Sequence, residues 1–550
     1  MLTSKKRARL VYLLVPLGIF AVGLIVWQFY KYKMVHRKVD DAITQKSKGL
    51  YQLHYEGLRI DEVSGTLHVK NVSIVPDTLI YQEMVREKTN PSVLISIHIP
   101  ALDILGVKTP KALLQKEIEG RSIEISDPSI EIMLNDTKKD STLHDPSKDL
   151  SKELLGKLLK IAIDSVKIVH AHVLVRKMNS GEALFKGENV SFLLAGLLID
   201  STVNKDSSRI FFSKNVEVGC EELILPSKDK KYRLQIRDLL FRSRENSLYV
   251  GVLKMTPQLG EAEFARSFPV QKDRYDFNLK GISLLHINRG ALWRKKLEAD
   301  SLVIAESSFK IFRDLSYPRD TVVKVGKYPH QQLMHLPVPM NIGKVVVVHS
   351  FIEYKEKNAK SDSAGKLQFF NVRATIGHVT NMKEVIARNN ECIVSFKASL
   401  LNKIPVEARL VLLLKDPRGK FSIEGNLGAF DVVTLNPLTQ PMGLARMEKG
   451  RIRKLHFDLI ASDSSSDGKL LMLYEDLKVS LLKKDKEENK YDKKGLASLL
   501  VSVMMKKSNP SKGGEARTVD VHFHRILDKS FFNLIWKSIF TGIKETAGLK

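Results

Sequence analysis

The residues of this 550-residue chain best suited to chemistry are two histidine pairs, His170 with His172 and His522 with His524. Histidines two apart on a strand share a face, which is the start of a metal site. A closed site needs further Cys, Asp or Glu ligands at a recognisable spacing, and neither pair brings them, so sheet or surface histidines are the simpler reading. Cys220 and Cys392 form neither a metal nor a redox pattern, and the sequence leaves their pairing open. Glu124, Glu131 and Asp164 alternate with apolar residues, as on the wet face of a half-buried sheet. A carboxylate pair for glycoside hydrolysis would have to be assembled by the fold. No Walker loop, G-x-S-x-G or dinucleotide fingerprint is present. The chain reads as a non-enzyme with no cofactor and no metal.

Stepping from side chains to elements, the clearest is LVYLLVPLGIFAVGLIVWQFY, Leu10 to Tyr30, which holds no charged residue. At about 1.5 Å per residue a helix here spans roughly 30 Å, the thickness of a bilayer's hydrocarbon core. Trp27 and Tyr30 stand at one end, where amphipathic rings favour the headgroups. A cleaved signal peptide is the rival, but Lys31, Lys33, Arg37 and Lys38 follow where a small-residue cleavage site would lie. Lys5, Lys6, Arg7 and Arg9 precede the span, so the positive-inside comparison is close to a tie. The net charge of +26 invites a nucleic-acid reading. No nucleic-acid motif supports it, and the lysines are spread along the chain, so nucleic acid is not expected as a partner. Diffuse positive charge suits a protein held beside anionic headgroups, and equally a lysine-rich solvated surface.

Beyond the anchor, alternation of apolar and polar residues predicts a β-rich body over 51–482, with GTLHVKNVSIV from Gly65 and KLQFFNVRATI from Lys366 as examples. Short helices are expected at Pro110 to Ile118, Leu150 to Ile161 and Leu496 to Met505. A pattern Φ-x-Φ-x4-Φ-x-Φ, with Φ apolar, recurs. Its copies are Ile123, Ile125, Ile130, Ile132; Val166, Ile168, Val173, Val175; Val216, Val218, Leu223, Leu225; Leu302, Ile304, Phe309, Ile311; and Val345, Val347, Ile352, Tyr354. Their starts differ by 43, 50, 86 and 43 residues, leaving room for two or three further strands per repeat. The five-residue step would throw the second apolar pair onto the opposite face of a regular strand. A β-bulge absorbs one residue and restores the face, and Asp127-Pro128 and Gly219 stand where such a break would fall. The result would be a curled sheet with one long apolar trough, for which acyl chains are the natural occupant in a membrane-tied protein.

Four stretches then resemble a known family. GLRIDEVSGTLHVKNVSIVPDT (Gly57 to Thr78) and LISIHIPALDILGVKTPKALLQKEIEGRSIEISDPSIEIML (Leu94 to Leu134) resemble the opening strands and first repeat of AsmA-like proteins. LNPLTQPMGLARMEKGRIRKLHFDL (Leu435 to Leu459) with DGKLLMLYEDLKVSLL (Asp467 to Leu482) resembles that family's C-terminal pattern. The resemblance implies a bacterial envelope protein: a cytoplasmic tail (1–9), an inner-membrane anchor (10–30), a juxtamembrane helix or linker (31–50) and a periplasmic repeating β-groove. It implies phospholipid as the bound partner, carried along the groove in support of outer-membrane homeostasis. The alternative is an envelope assembly factor or scaffold that docks an outer-membrane or other envelope protein without carrying lipid.

The C-terminal segment, 495–550, follows a charged loop, KKDKEENKYDKK (483–494), and is expected to hold a strand and an amphipathic helix. Phe532, Ile535, Trp536, Ile539, Phe540 and Ile543 make one helical stripe. Such a helix either lies in a membrane interface or meets a partner, or else covers the open end of the last sheet. The fold class expected is therefore mostly β: an N-terminal transmembrane helix, then an elongated, curled antiparallel repeating β-groove with short covering helices.

Overall fold

The computed structural model describes residues 47–108, 115–135, 158–200, 206–484 (except 207, 211, 228 and 362), 498–502 and 505–548. The expected anchor, 10–30, with the tail before it, nearly all of 31–50 and most of the charged loop, lies outside the described residues. Among those residues no helix is long and apolar enough to cross a membrane.

The protein is mostly β, built from a curled, largely antiparallel sheet architecture. It divides into two compact units. The first comprises residues to Leu253 with Leu285–Arg294, and the second Lys254–Leu284 with Lys295 onward. In the first, Tyr51–Asp61, Thr66–Pro76 and Val93–Leu105 form an antiparallel meander. Val93–Leu105 then pairs with Glu117–Ser126 along one half and with Ser129–Leu134 along the other. These two pieces act as one strand bent at Asp127-Pro128. Its far edge takes Lys160–Lys177 in parallel, after which Ala183–Ile199, Ser213–Pro226 and Tyr232–Arg242 continue antiparallel.

The second unit repeats the device. Leu297–Asp314 pairs in parallel with Met340–Lys357, and antiparallel strands follow from Ala364–Thr380 to Ser465–Lys484. Thr518–His524 and Ser498–Ser502 both add to Ser465–Lys484.

The 43-residue spacing now has a structural cause, and two expectations need correction. Ile123, Ile125, Ile130 and Ile132 lie directly beside Val166, Ile168, Val173 and Val175. Leu302, Ile304, Phe309 and Ile311 lie beside Val345, Val347, Ile352 and Tyr354 in the same way. Among the described residues, each 43-residue step is thus one long strand plus the crossover that parallel pairing demands, with no further strand inside it. Every other strand pairing described above is antiparallel. The expected helix over Leu496 to Met505 is also corrected, since Ser498–Ser502 is a strand. Of the other two expected helices, residues 110–114 and 150–157 lie outside the described residues, while Glu117–Ile118 and Lys160–Ile161 belong to strands.

The bulges take a specific form. Asn71, Asp127, His170, Asn189, Asp238, His349, Asn371 and Asp476 each interrupt or flank a long strand with φ between 49° and 54°. All eight side chains are exposed, and the next residue mostly turns back into the protein, as Val72, Pro128, Ala171, Val190, Ser350, Val372 and Leu477 do. Asn, Asp and His are the non-glycine residues that tolerate this left-handed region. The expected break at Asp127 is of this kind. That at Gly219 is not, because Gly219 has no positive φ; there, a Cβ would instead stand 2.5 Å from Ser191 Oγ. Asn371→Gly should therefore leave stability within about 1 kcal/mol of wild type, whereas Asn371→Val should cost about 1–2 kcal/mol. Chemical unfolding of the two variants checks this; equal stabilities would mean that φ is not what selects asparagine.

Each unit has its own core. In the first, Val69, Val72, Ile99, Leu102, Ile104, Ile123, Ile125, Ile163, Val166, Leu194, Ile199 and Val216 are buried together. In the second, Tyr328, Phe421, Ile423, Leu455, Phe457, Leu459, Leu470, Met472, Tyr474, Phe531 and Leu534 are. Helix Phe531–Ala547 closes this core. Ser530 caps its N-terminus by accepting from Asn533 N, and Gly548 ends it at φ +70°. Its inward side is Leu534, Ser538, Gly542 and Thr546. A Cβ on Gly542 would stand 2.8 Å from Leu470 Cβ and Val521 Cγ2, so glycine is what permits the close approach. The hydroxyls of Ser538 and Thr546 donate to Leu534 O and Gly542 O, which leaves no unpaired hydroxyl on that face.

Candidate functional site

The five copies of the apolar pattern meet two environments. In the first unit they build the core: Ile123, Ile125, Ile132, Val166, Val173, Val175 and Val216 are buried, and Ile130, Ile168, Val218, Leu223 and Leu225 are half-buried. Ile168 packs against both the main core and the small cluster of Ala171, Val173, Val190 and Cys220. Here the apolar face is covered by the protein itself. In the second unit only Val345 is buried, while Leu302, Ile304, Phe309, Ile311, Val347, Ile352 and Tyr354 remain half-buried.

That half-open face is the candidate site. The two parallel strands carry it without a phase break, because Ser307 and Ser350 sit side by side at the five-residue step and their hydroxyls are 2.5 Å apart. Aromatic rings missed in the sequence reading extend it. Phe277 stacks on Phe309 with centroids 6.1 Å apart, Tyr275 lies 6.5 Å from Phe309, and Phe369 meets Phe396 edge-on at 5.9 Å. The alternation in RYDFNLKGISLL (Arg274–Leu285) was the available signal for the first two.

At one end the face turns polar. Arg313 donates twice to Asp273, at 2.7 and 2.6 Å, and both side chains are largely buried. Burial opposes the guanidinium's charge, but Asp273 outweighs it and the pKa is raised. The Tyr354 hydroxyl donates to Glu356 at 2.6 Å; burial first, then that carboxylate, pushes the phenol's pKa up, so it stays protonated. On the other side of the same strands, Lys355 reaches Glu261 at 2.7 Å and lies 5.6 Å from the Phe312 ring centre. An apolar run ending in satisfied charges can hold a long hydrocarbon with a polar head, and offers no unpaired nucleophile.

The sequence-nominated histidines fall elsewhere. His170 is a bulge residue whose ring faces Asp127 at 3.4 Å, and His172 contacts Glu188. His522 contacts Asp467, and its Nε2 lies 3.2 Å from that of His524. No group of three or more metal ligands occurs among the described residues. Cys220 and Cys392 are free and buried, and burial raises both thiols to about 11, which keeps them protonated and unreactive. Glu131 pairs with Arg176. An open cleft lined by Tyr81, Gln82, Arg86, Asn90, Asn135, Met178 and Asn179 is mixed in polarity and brings no acid–base pair together.

The predicted C-terminal stripe divides in two. Ile535, Ile539 and Ile543 pack against the second core. Phe532, Trp536 and Phe540 face solvent. The helix thus covers the sheet, as one of its two expected roles required, through a face of small residues one position round from the expected one. No protein-family model matches the sequence, and no curated protein matches it either.

Proposed function

We propose that this chain is a non-enzymatic, membrane-anchored envelope protein that holds phospholipid acyl chains against the half-open face of Leu297–Asp314 and Met340–Lys357. The observation that carries the proposal is the contrast between the units: most of the repeated pattern is buried in the first, whereas all of it but Val345 is left half-open in the second. Apolar strands beside water are costly at about 25 cal/mol per Å², and an acyl chain removes that cost. The AsmA-like resemblance and the apolar segment Leu10 to Tyr30 support inner-membrane anchoring, a periplasmic body and a part in lipid transfer.

The test uses the full chain in detergent, stripped of lipid and then offered a phospholipid with a photoactivatable acyl chain. Adducts should map to peptides covering 297–314 and 340–357, and native mass spectrometry should show bound phospholipid. Labelling confined to residues 10–30, with no phospholipid retained, would overturn the proposal.

A further inference from the structure

The aromatic row of helix Phe531–Ala547 is out of keeping with its other faces. Phe532 is 69 % exposed and Trp536 47 %, in a protein whose other large aromatics are mostly enclosed. Phe532, Trp536 and Phe540 recur every fourth residue, with the Trp536 and Phe540 rings stacked 5.9 Å apart. The row does not end with the helix. Leu527 is exposed in the turn before it, and its carbonyl accepts from Lys324 N at 2.7 Å. That bond ties on the segment carrying exposed Val323 and Val325. With Val322, exposed on that same segment, seven apolar side chains from two chain segments therefore meet water at one end of the second unit.

The charges around this patch say what would cover it. Lys324 and Lys529 both lie close enough to Arg313 to feel its charge, Lys529 also feels Arg319, and Arg525 Nη2 donates to Lys324 O at 2.8 Å. The three carboxylates nearby are each engaged by another cation: Asp273 by Arg313, Asp320 by Lys272, and Asp528 by Arg319. Burial, then Arg313, holds the pKa of Lys324 and Lys529 below the ordinary lysine value. Lys537 lies over the Phe540 ring at 5.8 Å. A protein groove would match the aromatics; aromatics at the rim of surplus cations match a surface that is apolar beneath and anionic on top.

We infer that this end of the second unit docks on an anionic lipid bilayer, with Phe532, Trp536 and Phe540 entering the headgroup–acyl boundary and Lys324, Lys529 and Lys537 meeting lipid phosphates. The contact adjoins the polar end of the half-open face, since Lys324 and Lys529 lie near Arg313, but it does not require lipid to be carried there.

The protein offers its own probe. With Trp27→Phe and Trp293→Phe, Trp536 is the only tryptophan left in the chain. The full chain is held in nanodiscs of unlabelled phosphatidylcholine and mixed with vesicles whose acyl chains are brominated. Vesicles containing phosphatidylglycerol should blue-shift Trp536 and quench it by about two-fold, and raised salt should reverse this. Phe532→Ser with Phe540→Ser, both at exposed positions, should abolish the response without unfolding the chain. No quenching, equal quenching by pure phosphatidylcholine vesicles, or quenching that survives the double substitution would each overturn the inference. Quenching in a chain that carries no acyl adduct at 297–314 would keep this surface and remove the proposed lipid carriage.

Discussion

Ile304→Asp and Phe309→Asp should each abolish acyl-chain retention while leaving the protein folded. Both side chains are half-buried on the open face of the second unit, so an introduced carboxylate keeps contact with water when that face is empty. When an acyl chain lies there, the carboxylate must lose water without gaining a partner, at a cost of several kcal/mol. A penalty of about 3 kcal/mol corresponds to roughly a hundredfold loss of affinity. The effect should be larger at Phe309, whose ring sits between Tyr275 and Phe277 on one side and the Ile352 strand on the other. Lys310→Glu, one residue on and exposed on the opposite face, should retain lipid as wild type does. Phospholipid extracted from each purified variant and measured by mass spectrometry decides the matter. Wild-type lipid content in Phe309→Asp would mean that the face does not hold acyl chains. Ile168 is a poor place for this experiment, because it packs against two buried clusters and a charge there would test folding instead.

Tyr328→Ala should be among the most destabilising single changes in the second unit. Its side chain is wholly buried and serves four neighbours at once. The ring meets Phe421 at 5.8 Å and Phe531 at 5.1 Å, both edge-on, and carries the Arg525 guanidinium 4.4 Å from its centre. Its hydroxyl donates to Ser462 O at 2.8 Å, and burial raises its pKa to about 12, so it remains a donor at any physiological pH. Removing a packed aromatic costs about 3–5 kcal/mol, and here it also frees Phe531, the first residue of the closing helix. Tyr328→Phe keeps the packing and loses one hydrogen bond, for about 1 kcal/mol. Denaturant unfolding should order the three proteins accordingly, with protease sensitivity of 531–547 rising only in the alanine variant. A loss under 1 kcal/mol for Tyr328→Ala would show that the ring cluster is not what anchors the helix.

Much of the fold could be read from local pattern because local pattern is what strands and helices obey. Alternation marked the β body, and the step in Ile125 to Ile130 marked a bulge at Asp127. The recurrence of Asn, Asp or His before an inward-turning residue (Asn71-Val72, Asn189-Val190, Asn371-Val372, Asp476-Leu477) was also present in the sequence. One such pair carries little information, whereas eight, each at a break in a long strand, carry much more. The C-terminal helix was legible for the same reason, but its orientation was not. A periodic stripe says which residues share a side, whereas Gly542 against Leu470 and Val521 decided which side could approach the sheet.

The sequence by itself determined the class of structure: a β-rich body with bulged strands, a 43-residue recurrence and an amphipathic helix at the end. Tertiary structure alone decided that the recurrence means parallel pairing of copy with copy, since a spacing counts residues and not direction. It also decided that Ile125 is core while Ile304 lies half-open, and that Val173 is core while Phe309 lies half-open, although each pair occupies the same place in the pattern. Burial depends on what packs opposite a side chain, and those partners (Ile99 and Leu102 in one unit, aromatic neighbours beside water in the other) come from strands distant in sequence.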